Sequence, residues 1–225
     1  MPPGFRVLWF GGWRERLRVA RLAYTSAKLR LILPEAYPVH RDVVDWDNPA
    51  SPDRIPAAAV GLDPLTLHLM RWVMQRWERV AFLNRYLAGT LLPRLQLDLW
   101  PGLSCAAHFA LLAPRQPQGI DDYVAAGRAM QRFWLSAARL GLYIQPEMTP
   151  LIFHEYTRGG VRFSRHEAMY EHAATVSRGL TELLGVPGAA SAVFLGRIGA
   201  GPAPTSRSMR RPLEELLLND PTQKV

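Results

Sequence analysis

Cysteine is nearly absent from this chain of 225 residues: Cys105 is the only one. A single thiol excludes an internal disulfide and any zinc site built on several cysteines, and it fits a reducing, cytoplasmic location. Long apolar runs are missing too. None approaches the roughly eighteen residues that span a bilayer, so no membrane segment is expected. The nucleotide and hydrolase signatures are also lacking. There is no Gly-x4-Gly-Lys-Ser/Thr phosphate loop and no Gly-x-Ser-x-Gly elbow. Gly199-Ala-Gly201 lacks the third glycine and the following helix of a dinucleotide fingerprint. Acidic residues are scarce at the start. Glu15 stands alone among Arg6, Arg14, Arg16, Arg18, Arg21, Lys28 and Arg30. Such a stretch reads as the solvated face of a helix, or as an organelle transit segment.

What is present is ordinary for a protein with a core. Hydrophobic residues make up 48% and charged residues 20%. The 27 basic and 19 acidic residues leave a net charge of +8, which suits anionic partners. The basic residues gather at the two ends without a groove-reading motif, which argues against nucleic acid as the partner.

Periodicity and punctuation divide the chain. Residues 5–10 read as a strand closed by Gly11-Gly12, and 13–32 as a helix stopped by Pro34. Residues 35–62 read as an ordered loop. Asp63 and Pro64 open a helix that runs to about Leu87, with Gly89 as its stop. Residues 93–103 read as a second loop, and 105–112 as a buried strand. Asp121 or Asp122 caps a helix through Leu140, followed by Gly141. The loop 145–150 is set between two prolines. Ser164 and Glu167 have capping-box spacing and open a helix that ends at Gly185. Residues 192–198 form the second confident strand. Helices outnumber strands, as in an α+β domain around a small sheet. We divide the chain into an N-terminal strand and basic helix at 1–33, a main domain at 34–218 and a tail at 219–225.

Several residues invite a chemical reading. His154-Glu155 and His166-Glu167 lack a second histidine at zincin spacing, so surface histidines are the better account. Ser-His-Asp catalysis has no motif to support it. Trp72, Trp77, Phe133 and Trp134 can stack on a flat ligand, or simply fill the core. Arg207, Arg210 and Arg211 put three guanidiniums in five residues. Such a run can grip a phosphate, or lie solvated.

The ordered set formed by strand 105–112, helix 122–140 with Ala-Arg-Leu-Gly-Leu at 138–142, the proline-bounded loop, strand 192–198 and the closing Arg-Ser-Met-Arg-Arg-Pro-Leu-Glu-Glu at 207–215 resembles the C-terminal half of nitroreductase-like flavoproteins. Asp-Arg-Ile-Pro at 53–56, Gly-Leu-Asp-Pro at 61–64, Leu-Met-Arg-Trp at 69–72 and Gln-Arg-Phe-Trp-Leu at 131–135 look like the branch fused to ThiF-like adenylyltransferase domains, sometimes labelled molybdopterin-biosynthesis proteins. The resemblance covers residues 34–216. It implies a nitroreductase-like α+β fold, present as an incomplete copy, with a small antiparallel or mixed sheet surrounded by helices. It further implies an FMN-dependent oxidoreductase that moves hydride from NAD(P)H to a small acceptor. Such a protein is a homodimer with flavin at the interface, and an adenylyltransferase-like domain or partner is encoded upstream. On this reading Gln145, Pro146, Glu147 and Met148 lie against the flavin ring, and Arg207 and Arg210 hold its phosphate. No catalytic side chain and no metal is required, because the cofactor carries the chemistry. The family's N-terminal phosphate-binding segment and its Ser-x-x-Asn-x-Gln-Pro stretch are missing. The alternative is a cofactor-free, non-catalytic module of the same fold that dimerises or binds a partner.

Overall fold

The apolar run before Pro114 folds as a strand because both its faces are covered. Phe109, Ala110, Leu111 and Leu112 are at most 1% exposed. The computed structural model describes residues 3–203 and 206–217. The chain opens with β1 (Arg6–Phe10) and α1 (Trp13–Ile32). A smaller lobe follows, made of α2 (Tyr37–Val43), β2 (Val44–Asp45), β3 (Ala50–Ser51), β4 (Ile55–Pro56), α3 (Pro64–Val73) and α4 (Trp77–Tyr86). Next come α5 (Leu91–Arg94), a π-helical stretch (Leu95–Leu99), α6 (Trp100–Ser104) and β5 (Ala107–Leu112). The last part holds α7 (Ile120–Arg139), β6 (Tyr143–Pro146), α8 (Thr149–Arg158), α9 (Glu167–Ser191), β7 (Ala192–Gly199), β8 (Arg207–Ser208) and α10 (Leu213–Leu216).

The protein is a mixed α+β fold around a four-stranded antiparallel sheet in the order β1-β5-β7-β6. Alternation along the strands divides the core in two. Ala110, Leu112 and Leu195 face α1, α8 and α9, with Val19, Leu22, Phe153, Val176 and Leu180. Phe109, Leu111 and Ile198 face α7, with Ala129, Met130 and Ala137. The first 33 residues belong to this core: β1 pairs with β5, and α1 buries Val19, Ala20, Leu22, Ala23, Ala27 and Leu29. The tail expected at 219–225 lies outside the described residues.

Two glycines permit close approaches that a side chain would block. At Gly196 on β7 an added Cβ would lie 2.9 Å from the Gln145 carbonyl oxygen and 3.2 Å from the Phe109 ring. At Gly102 it would lie 2.8 Å from the Ala20 Cβ.

Several sequence expectations need correction. Residues 35–62 are not a plain loop, because Tyr37–Val43 is helical and β2 pairs with β4 in parallel. The helix expected over 63–87 is two, since Arg76 is extended (φ −143, ψ 133) and separates α3 from α4. Residues 93–103 are helical despite Pro93 and Pro101. Pro93 falls in the first turn of α5, where the missing N–H is tolerated, and Pro101 follows the π stretch. The π stretch between them passes the ladder on: the Trp100 N–H donates to the Leu95 carbonyl. The capping box at Ser164 does not form, because the Ser164 hydroxyl accepts from the His166 N–H at 3.1 Å and lies 3.3 Å from the Glu35 carboxylate. The stop expected at Gly185 does hold, since its backbone (φ 72, ψ 161) is non-helical and divides α9 into two helical segments. The proline-bounded loop is shorter than expected: Tyr143–Pro146 is the edge strand β6, and Thr149 already begins α8.

Candidate functional site

A cavity of about 870 Å³ opens between the sheet and the smaller lobe. This is within the size range of small-molecule and cofactor sites. Residues Gln145, Pro146, Glu147 and Thr149 and the β7 residue Arg197 line its sheet side. Tyr37, Met70, Met74, Trp77, Val80 and Leu83 line its helical side. Arg30, His40, Gln96 and Asp98 are among the further polar residues that line it. Tyr37 and Trp77 form an aromatic pair there, with centroids 5.5 Å apart and planes tilted by 57°.

The turn after β6 is fixed by a buried charge network. Glu147 is 7% exposed and His108 wholly buried. Glu147 Oε2 lies 2.7 Å from His108 Nδ1, and Arg197 Nη1 donates to Glu147 Oε1 at 3.0 Å. His108 Nε2 reaches the Gly102 carbonyl at 2.8 Å. Both ring nitrogens therefore face acceptors, an arrangement that fits the doubly protonated ring. Burial pulls the His108 pKa down, but hydrogen bonding with Cys105 and Glu147 and the Glu147 charge outweigh it, leaving it up at about 9. Glu147 is the weightier partner, since the Cys105 thiol donates to the Gly102 carbonyl at 3.2 Å instead. The Glu147 N–H donates to the Leu195 carbonyl at 2.8 Å, which ties the turn to β7.

The polar residues around the cavity act on one another. Burial pushes Asp98 up to about 6. Arg30, Arg197 and Arg94 favour its charged form and Glu147 opposes it. Burial and the nearby Arg30 charge push His40 down to about 4, so it is neutral at ordinary pH. Arg30 Nε is buried without a hydrogen-bond partner. The wall is also braced across its seam. Gln96 Nε2 donates to Asp63 Oδ2 at 2.5 Å, and Asp63 caps α3 by accepting from the Leu65 and Thr66 N–H groups.

The residues expected from the sequence fall in three places. Gln145 and Pro146 are exposed and line the cavity. Glu147 lines it too, but its carboxylate turns inward to His108 and Arg197. Met148 packs against the core shared by α1, α8 and α9. Arg210 does not line the cavity within this chain. Residues 207–208 pair in parallel with Ala50–Ser51, beside the strand whose Ile55 does line it. Arg210 is exposed, and Arg211 lies 4.0 Å from Asp53.

Other candidates resolve. Trp77 lines the cavity, whereas Trp72 lies outside it under the Arg79 guanidinium. Phe133 packs with Trp9 and Phe109. His166 is a surface residue as expected. His154 is not: it is buried, and its Nδ1 lies 2.8 Å from Ser177 Oγ. Among the described residues no group of His, Cys, Asp and Glu could hold a metal, and no helix is long and apolar enough to cross a membrane. The N-terminal basic run is mostly a solvated helix face. Arg16 and Arg30 are the inward exceptions, and Arg16 donates to the Cys105 carbonyl at 2.6 Å.

Sequence reasoning missed Arg30, His40, Asp98, His108 and Arg197. His108 and Arg197 were detectable as single polar residues inside the two most apolar strands. Asp98 was not, because it falls in a stretch read as loop. No family model matches this chain, and no curated protein or solved structure does so either.

Proposed function

We propose that the cavity binds FMN and that the protein is a nitroreductase-like oxidoreductase moving hydride from NAD(P)H to a small acceptor. One observation carries this reading. A cavity of about 870 Å³, apolar and aromatic on one side, reaches the turn 145–147 that the family resemblance assigns to the flavin. The volume and lining fit a planar heterocycle with a polar edge. Among the described residues β6 pairs only with β7, so its outer edge offers backbone donors and acceptors.

In this proposal the chain positions and the cofactor reacts. Gln145 and Pro146 support the ring, and Glu147, immobilised by His108 and Arg197, keeps the turn from moving. Trp77 and Tyr37 supply the apolar face that keeps water from the ring. Bound FMN would supply the hydride chemistry, taking hydride from NAD(P)H and passing it on. Arg207 and Arg210 would hold the phosphate, Arg210 from the second subunit of a homodimer, since it does not line the cavity of its own chain.

The test is reconstitution. The purified chain incubated with FMN and desalted should keep an absorbance near 450 nm (roughly, for a protein-held oxidised flavin). It should melt at a higher temperature with FMN, as any ligand bound only by the folded state requires. A colourless protein with no thermal shift defeats the reading. The position of Arg210 outside the cavity favours a second reading, a cofactor-free binding module of the same class. It predicts that colourless outcome.

A further inference from the structure

Arg30 is the least explained charge in the molecule. The side chain is half-buried and lines the cavity, and its Nε is shut off from water with no hydrogen-bond partner among the described residues. Buried donors are almost always paired, and an Nε withdrawn from water needs an acceptor. The neighbouring charges do not supply one. Glu147 is engaged by Arg197 at 3.0 Å and by His108 at 2.7 Å. Asp98, from the π-helical stretch, is near enough to feel Arg30, but no ion pair joins them. His40, also beside Arg30, is neutral and brings no negative charge. π-helical turns recur at functional sites, and this one sets a carboxyl group into the same cavity.

We propose that the corner formed by Arg30 and Asp98 binds the carboxylate of an amphipathic organic monoanion, whose apolar body lies along Met70, Met74, Trp77, Val80 and Leu83. Charge decides the class. Arg30 forms no ion pair among the described residues, and Glu147 is already shared between Arg197 and His108. Asp98, when ionised, repels a second anion. A dianion such as phosphate would meet that repulsion twice over, whereas a carboxylate needs one positive partner and can accept a hydrogen bond from protonated Asp98. The groups facing Asp98 are Arg30 from α1, Arg94 from α5, Glu147 after β6 and Arg197 from β7. Asp98 is pushed up to about 6, so binding should weaken as the pH rises through that value. The anion would share the Trp77 wall with the flavin of the reading above but does not rest on that reading, and its test needs no flavin.

The test is calorimetric titration of the full chain with octanoate and 3-phenylpropanoate, beside their neutral primary amides and inorganic phosphate. The carboxylates should bind roughly tenfold or more tightly than the amides and phosphate, the usual scale for a charge-assisted hydrogen bond. Their affinity should fall about tenfold between pH 5.5 and 7.5 as Asp98 ionises. Arg30→Gln should reduce the carboxylate-to-amide ratio to about one. Asp98→Asn should bind carboxylate more tightly at pH 7.5 and lose the pH dependence, a gain that misfolding cannot imitate. Equal affinity for carboxylate and amide, an undiminished preference in Arg30→Gln, weaker binding in a folded Asp98→Asn, or phosphate binding as tight as carboxylate would each overturn the proposal. Absence of any binding would overturn it as well. None of these outcomes bears on the absorbance at 450 nm, which tests the flavin separately.

Discussion

On the sheet side of the cavity, Glu147 and Arg197 rest on a buried histidine in a strand almost wholly withdrawn from water. On the helical side, α3 and α4 leave Leu65, Leu69, Trp72, Phe82 and Tyr86 between 48% and 79% exposed. The first side cannot move without separating charges in a low-dielectric interior. The second is held chiefly by an Asp63 cap, a Gln96 tie and an aromatic pair. A site with one fixed wall and one loosely held wall can keep a rigid reference surface while fitting ligands of different size.

Substitutions test that contrast, and the largest effect is expected at Glu147. Changing Glu147→Leu leaves Arg197 and His108 buried without their anion. Urea denaturation should show a loss of about 3–5 kcal/mol. A loss below about 1 kcal/mol, the range of an exposed pair, would mean that the sheet side is not fixed in the way described. Gly102→Ala comes next. The new Cβ meets the Ala20 Cβ at 2.8 Å and His108 Cε1 at 3.4 Å. Overpacking of this kind costs about 1–3 kcal/mol.

Two buried histidines sharpen the comparison through pH. The His108 pKa is raised from 6.5 in the unfolded chain to about 9. Its contribution is therefore complete below pH 6.5 and is lost as the pH climbs through 9. The stability difference between the native chain and His108→Asn should shrink over that window. His154 carries the opposite sign. Burial, its largest influence, lowers its pKa, so the neutral ring is the folded form. Its contribution is present above pH 6.5 and declines as the pH falls. Chemical denaturation at a series of pH values distinguishes the two; parallel slopes would show that one of the protonation states is misassigned.

The smallest effect belongs to the helical side. Leu65→Gln, at 79% exposure, should change unfolding free energy by less than about 0.5 kcal/mol. If the proposed homodimer buries this face, sedimentation should instead show the substitution raising the monomer fraction.

Much of the framework was readable in the residues. Helix α1 ends where Pro34 predicts, β5 and β7 follow their apolar runs, and Gly141 takes the left-handed conformation (φ 71) just past α7. Other local signals were misleading. Pro93 and Pro101 read as loop markers, yet Pro93 sits in a first turn where its missing N–H has no cost, and Pro101 follows a π-helical stretch. Ser164 and Glu167 have the spacing of a capping box, but the hydroxyl meets Glu35 from the far end of α1, and no local rule foresees that contact. The turn 145–148 was found as a candidate, while the charges that immobilise it were not.

The sequence by itself determined the class of the fold, the two buried central strands and the long helices, because hydrophobic period and terminal residues act within a few positions of one another. Only the tertiary structure decided that Arg30, Asp98, Glu147 and Arg197 would share one cavity and that His108 would be charged. Those outcomes depend on burial and on fields between groups far apart in the chain, and neither quantity exists until the elements pack.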